Sequence, residues 1–308
     1  MGLRIRTNIA SMNAQRHMTN STGNLFKSAQ KLASGKRINK AADDAAGLAI
    51  SENLRADIRS LEQAKRNAGD GISLVQTAEG ALVETTSMLV RLKELSVQAA
   101  SDTIGDRERG YLDREFIALK DEIDRVANTT EFNGRRLIVG ENELPEELAN
   151  EPETFPLEIQ VGKDYFKEVD SKDERNPVNI IKIDFQKINA FTHGEGSLEL
   201  GKGEDGLRVS NKKGAQEAVS QIDTAIQQVA SYRADLGAIQ NRLGSSINNL
   251  GVQTENLSQA KSRVVDADYA KETAEYTATN ILQQAGSSVL SQANQMPQVA
   301  LSLVQSMS

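Results

Sequence analysis

The 308-residue chain has no cysteine and no tryptophan, which excludes disulfides, thiolate catalysis and cysteine-ligated metals. Aromatic residues make up 4% of it and hydrophobic residues 38%, so few large side chains are at hand for a thick globular core. Plentiful Ala, Gln, Asn and Ser favour long helices in thin bundles instead. No apolar run approaches the roughly 18 residues of a membrane span. The N-terminus lacks the apolar core of a secretory signal, and Arg6 stands where a myristoylation motif needs Ser or Thr. A net charge of −7 argues against nucleic acid as a main partner.

Two further absences divide the chain. Residues 1–42 contain no Asp or Glu, although they carry Arg4, Arg6, Arg16, Lys27, Lys31, Lys36, Arg37 and Lys40; residues 276–308 contain no charged side chain at all. Between these ends the chain is acidic and highly charged. Pro145, Pro152, Pro156 and Pro177 fall in one stretch, about 141–208, which also holds most of the Phe and reads as a separate strand-and-loop unit.

What is present is helical periodicity. From Ile50 through Leu54, Ile58, Leu61, Ala68, Ile72, Val75, Ala78, Leu82, Leu89, Leu92 and Ala99 the apolar residues follow 3/4 spacing. Leu112, Phe116, Leu119, Ile123 and Val126 repeat it, as do Val219 through Leu257. The last stretch predicts a helix of roughly 70 Å at about 1.5 Å per residue, which needs a partner along its length. The economical arrangement pairs 50–100 with 215–265 and sets 106–128 in a third position. Asn133-Gly134 predicts a hairpin within Glu131–Val139, and alternation in "PLEIQVG" and "VNIIKIDF" predicts further short strands, with a long loop or lid as the other reading.

Each end carries a thin apolar stripe. At the N-terminus it is Ile5, Ile9, Met12, Phe26, Ala29 and Leu32; at the C-terminus it includes Ala278, Ile281, Ala285, Val289, Ala293, Met296 and Leu303. Fixing each backbone costs about 1–2 kcal/mol, and stripes this thin leave the ends marginal until neighbouring copies surround them. Ordinary fraying tails are the plainer reading. A basic, acid-free start also matches an organellar transit peptide, but such a segment is removed and needs no matching stripe at the other end.

Four stretches resemble bacterial flagellins: "LASGKRINKAADDAAGLAISENLRADIRSLEQAKRNAGDGISLVQTAEGAL" (32–82), "LVRLKELSVQAA" (89–100), "DEIDRVANTTEFNGRRL" (121–137) and "NILQQAGSSVLSQANQMPQVALSLVQ" (280–305). The resemblance implies a mainly α fold of long antiparallel helices, with paired N- and C-terminal helices and a small β-rich unit in the middle. Residues 1–42 and 269–308 would form the inner filament core, 43–140 and 209–268 the long-helix bundle, and 141–208 would complete it. Arg37, Asp43 and Asp44 would mark the junction. There the carboxylates open the long helix at the positive end of its dipole, with Lys36, Arg37 and Lys40 at hand for salt bridges.

The same resemblance implies a structural subunit exported unfolded by the flagellar export apparatus. It would be guarded by a chaperone on its C-terminal segment and would assemble with itself, the filament cap and the hook-junction proteins into a hollow filament outside the cell. It further implies a surface for Toll-like receptor 5 at Leu89, Arg91, Leu95, Gln98 and Glu115; Val90 and Lys93 depart from the family's commonest pattern. A hook–filament junction protein and a secreted monomeric coiled coil are the rival readings. No cofactor or enzyme activity is expected. His17 and His193 lack metal-ligand spacing, there is no H-E-x-x-H, and "HGEGSLELGKGEDG" (193–206) lacks the ending of a phosphate loop.

Overall fold

The computed structural model describes residues 7–140, 156–164, 179–194, 196–203 and 206–305, with side chains to 295. Residues 141–155 and 165–178 of the proline-rich stretch thus lie outside the described residues. Two compact units form, residues 1–58 with 255–308 and residues 59–254.

In the first unit, α1 (Ile9–Ser34) starts where the Asn8 side chain accepts the Ser11 N–H at 3.0 Å. It stops at Gly35, whose φ of +66° suits a residue without Cβ. The helix α5 (Tyr269–Gln305) starts likewise: Asp268 Oδ1 accepts the N–H groups of Ala270 and Lys271 at 3.0 and 3.2 Å. It continues through Gly286 and Pro297. The two helices lie antiparallel. Asn8 Nδ2 donates to the Ala293 carbonyl at 2.8 Å, the Ser11 hydroxyl to Asn294 at 2.7 Å, and Lys31 Nζ to Glu272 Oε1 at 2.8 Å.

The connectors at the root of this pair clip together. The Arg37 N–H donates to the Val265 carbonyl at 2.6 Å and the Ala267 N–H to the Gly35 carbonyl at 3.0 Å, making a one-residue β-bridge of Lys36 with Asp266. From there α2 (Ala45–Ala99) runs 55 residues.

In the second unit, α2 from residue 59 onward buries Leu61, Ala64, Ala68, Val75, Ala78, Leu82, Leu89, Leu92, Leu95 and Ala99, the inward face of its 3/4 repeat. Thr85 and Ser96 interrupt that face, and each hydroxyl is satisfied by the carbonyl four residues back, at 3.0 and 2.8 Å. The buried Arg109 secures the reversal into α3 (Asp106–Thr129) by donating to the carbonyls of Ala99 and Ser101 at 2.8 and 2.9 Å. The helix α4 (Lys212–Val265) contributes Ala215, Ala218, Ile222, Ala225, Val229, Leu236 and Leu243 to the same core. Its 54 residues span about 81 Å at the usual rise.

The predicted hairpin forms. β1 (Glu131–Phe132) pairs antiparallel with β2 (Arg135–Arg136), and Asn133 and Gly134 both take positive φ, +53° and +76°. The other two strands, β3 (Leu157–Gln160) and β4 (Ile180–Ile183), pair antiparallel with Leu157 opposite Ile183. Gly71 on α2 lets β3 approach, because a Cβ there would meet Ile159 Cδ1.

Charged residues on the inner face of α3 hold the segment 192–209. Asp113 accepts the Arg208 guanidinium at 2.7 Å and the Val209 N–H at 2.9 Å. Lys120, with no exposed surface, donates to the Gly203 and Leu207 carbonyls at 3.1 and 3.2 Å. Asp124 accepts the Thr192 N–H and hydroxyl at 2.8 and 2.9 Å. Burial pushes the Lys120 pKa down, against the pull of Asp124, Asp121 and Asp113.

Candidate assembly surface

The seam between α1 and α5 is not the apolar stripe. Covered or half-covered positions include Ser11, Ala14, Met18, Ser21, Leu25, Ser28 and Leu32 on α1 and Glu272, Tyr276, Thr279, Gln283, Gly286, Leu290 and Ala293 on α5; Thr22, Ala29, Lys31 and Asn280 are half-covered beside them. Both sets follow 3/4 spacing, and small residues such as Ser21, Ser28, Thr279 and Gly286 alternate there with Met18, Leu25, Leu32, Tyr276 and Leu290. A Cβ on Gly286 would sit 4.0 Å from that of Met18.

The stripe residues point elsewhere. Ile9, Met12 and Phe26 are 61%, 58% and 69% exposed, and Ile281 and Val289 are 61% and 57% exposed. Ala278 and Ala285 are exposed as well. Leu32 and Ala293 leave the stripe for the seam. Ile5 lies outside the described residues, as do the side chains of Met296 and Leu303. Side chains of this size gain about 1.5–3 kcal/mol each on full burial, so the first unit presents an unused apolar face on both helices.

At the junction, only Asp44 caps the long helix: its Oδ1 accepts the Gly47 N–H at 2.9 Å. Asp43 instead closes the preceding turn, where its Oδ2 accepts the N–H groups of Lys40 and Asn39 at 3.0 and 3.1 Å. Those two bonds, with the charges of Lys40 and Lys27, hold the Asp43 carboxyl below its ordinary range. The expected salt bridge to Arg37 gives way to a helix-end contact. Its guanidinium donates to the Val264 carbonyl at 2.7 Å, where a cation meets the negative end of α4. A Cβ on Gly47 would run into Ile38 Cδ1 and the Asp44 carboxylate, so a larger residue there would displace the cap.

On the outer face of α2 and α3, Arg91 Nε and Nη2 donate to Glu115 Oε1 at 2.9 and 2.8 Å, and Nη1 to Glu94 at 3.0 Å. Glu115 and then Glu94 raise the Arg91 pKa. Gln98 is exposed beside them. Leu89 and Leu95, expected on this surface, do not belong to it: both are fully buried, on the core face of α2. Exposed apolar residues near it are Val90, where the chain departs from the family pattern, Val97 and Tyr111. Among the described residues no group of three His, Cys, Asp or Glu is placed to hold a metal, and no helix is long and apolar enough to cross a membrane.

Paired end helices with an outward apolar face, joined to a long-helix bundle, define a structural, helix-built protein. Comparison with known proteins gives the family. Residues 5–143 match the bacterial flagellin N-terminal helical region and residues 219–304 the C-terminal helical region. Flagellin of Bacillus subtilis is 42% identical over 98% of this chain and 100% of its own length. Flagellin of Halalkalibacterium halodurans is 40% identical over 97% and 99%. A Vibrio parahaemolyticus structure assigned as a flagellar hook-associated protein superposes with a TM-score of 0.54 over 73% of this chain and 100% of its own; at 14% identity it shares the fold alone. The chain belongs to the bacterial flagellin family, a family of structural proteins, and is a subunit of the extracellular flagellar filament.

Proposed function

We propose that the chain polymerises by burying the outward faces of its end helices, Ile9, Met12 and Phe26 on α1 and Ile281, Ala285 and Val289 on α5, between neighbouring copies. Ile5, Met296 and Leu303 extend these faces by their sequence phase. Residues 1–42 and 269–308 then form the inner core and the long helices of 43–140 and 209–268 the next shell, with 141–208 completing that shell. Arg37, Asp43 and Asp44 hold the passage between core and shell. One observation carries this reading: Ile9, Met12, Phe26, Ile281 and Val289 each stay more than half exposed, outside the α1–α5 seam.

Before assembly the same face invites aggregation, which supports an export chaperone on the C-terminal segment. The acid-free first 42 residues support unfolded passage through the flagellar export apparatus. The cap and hook-junction proteins are the further partners of this reading. Arg91, Gln98 and Glu115 form the surface offered to Toll-like receptor 5, and no catalysis is assigned.

Deleting 280–308 tests the reading. The truncated chain should stay soluble and helical yet fail to extend filament seeds. Normal filaments from it would overturn the assignment.

A further inference from the structure

Among the methionines of the described residues, Met12 differs in its surroundings. It is 58% exposed, one turn from Ile9 and in heptad phase with Phe26. Met18 lies in the α1–α5 seam opposite Gly286, and Met88 packs against the core of the second unit. We infer that Met12 is an oxidation site that gates assembly, the sulfoxide form of the subunit being unable to dock.

The chemistry needs only a peroxide. Its O–O bond breaks as one oxygen bonds to Sδ, the thioether gives up two electrons, and water leaves. The product is a polar, chiral sulfoxide with a strong acceptor oxygen in place of a flexible apolar group. The stripe on α1 has little to spare: Arg16, Thr19 and Gly23 interrupt it between Met12 and Phe26, leaving Ile9 and Met12 as its described N-terminal part. Asn8 and Ser11 beside Met12 are engaged with Ala293 and Asn294, which leaves Arg16, one turn on, as the nearest cationic donor. A sulfoxide carried into the interface would replace an apolar contact by a polar group that must be desolvated, a costly exchange. Once a subunit is docked its thioether is covered, so the site is open only before docking.

The inference rests on the assembly reading above, and its test separates the two. Full-length chain is treated with hydrogen peroxide, Met12 oxidation is mapped by peptide mass, and elongation of untreated seeds is followed. Oxidised wild-type chain should elongate about tenfold more slowly or worse, the factor that about 1.4 kcal/mol produces. Methionine sulfoxide reductase should restore it, and peroxide-treated Met12→Leu should elongate at the rate of untreated Met12→Leu, whatever that rate is. Normal elongation by chain oxidised at Met12, or equal loss in Met12→Leu, would overturn the inference. Untreated chain that fails to extend seeds would instead sink the assembly reading itself.

Discussion

Lys31 Nζ and Glu272 Oε1 stand 2.8 Å apart, joining the two ends of the chain within the α1–α5 seam. The pair is lopsided. The Glu272 side chain is 10% exposed and its second oxygen is buried without a hydrogen-bond partner, whereas that of Lys31 is 31% exposed.

The two truncations should therefore differ. Lys31→Ala strands a carboxylate in the seam and should weaken the helix pair by about 2–4 kcal/mol. Glu272→Ala frees a lysine that turns to water and should cost about 1–2 kcal/mol. Hydrogen exchange of α1 and α5 amides in each variant measures both; equal losses would show that the seam does not hold the carboxylate as described.

Asp44→Ala removes the cap of α2 and should cost about 1 kcal/mol, seen as faster exchange at amides 45–48. Asp43 answers to pH rather than to the helix. Its folded pKa lies below the ordinary 3.8, so its contribution is complete above the unfolded value and disappears as pH falls through the depressed folded one. An NMR titration of the Asp43 carboxyl, with loosening of the Asn39 and Lys40 amides at the same midpoint, checks the sign.

Two glycines of α2, two positions apart, should respond in opposite directions. A Cβ on Gly69 meets nothing within 4 Å, so Gly69→Ala should stabilise by about 0.5–1 kcal/mol through helix propensity. On Gly71 the new atom runs into Ile159 Cδ1. Ile159 must leave its rotamer, and Gly71→Ala should destabilise by about 1–2 kcal/mol. Thermal unfolding of the paired variants decides it.

Lys120→Ala should cost about 2–5 kcal/mol, since it opens a cavity and leaves two carbonyls without their donor. In the wild type the depressed pKa means that the unfolded chain keeps this proton longer. The contribution of Lys120 to stability should thus rise with pH as it approaches the ordinary 10.5 from below. Denaturant titrations of wild type and Lys120→Met across that window test the slope.

The long helices were legible because Leu82, Leu89, Leu92 and their fellows keep one face over many turns, and Asn133-Gly134 announced its own turn. The receptor-surface assignment of Leu89 and Leu95 conflicted with that same periodicity, and the core claimed both. The α1–α5 seam was hidden for a different reason. Hydrophobicity marks the face that most needs covering, and here that face points outward, while Ser21, Ser28, Thr279 and Gly286 make close approach without an apolar signal. Lys120 and Asp113 carry no sequence signal of burial, because their partners, the main chain of Leu207 and Val209 and the Arg208 guanidinium, lie some ninety residues on.

The clip between Gly35–Arg37 and Val264–Ala267 is made of main-chain atoms, apart from the Arg37 guanidinium. Side chains at 36 and 266 can therefore be exchanged without unlocking the joint. Gly35 cannot, since its positive φ admits few substitutes, so the polarity around this joint is free to vary while its path is held.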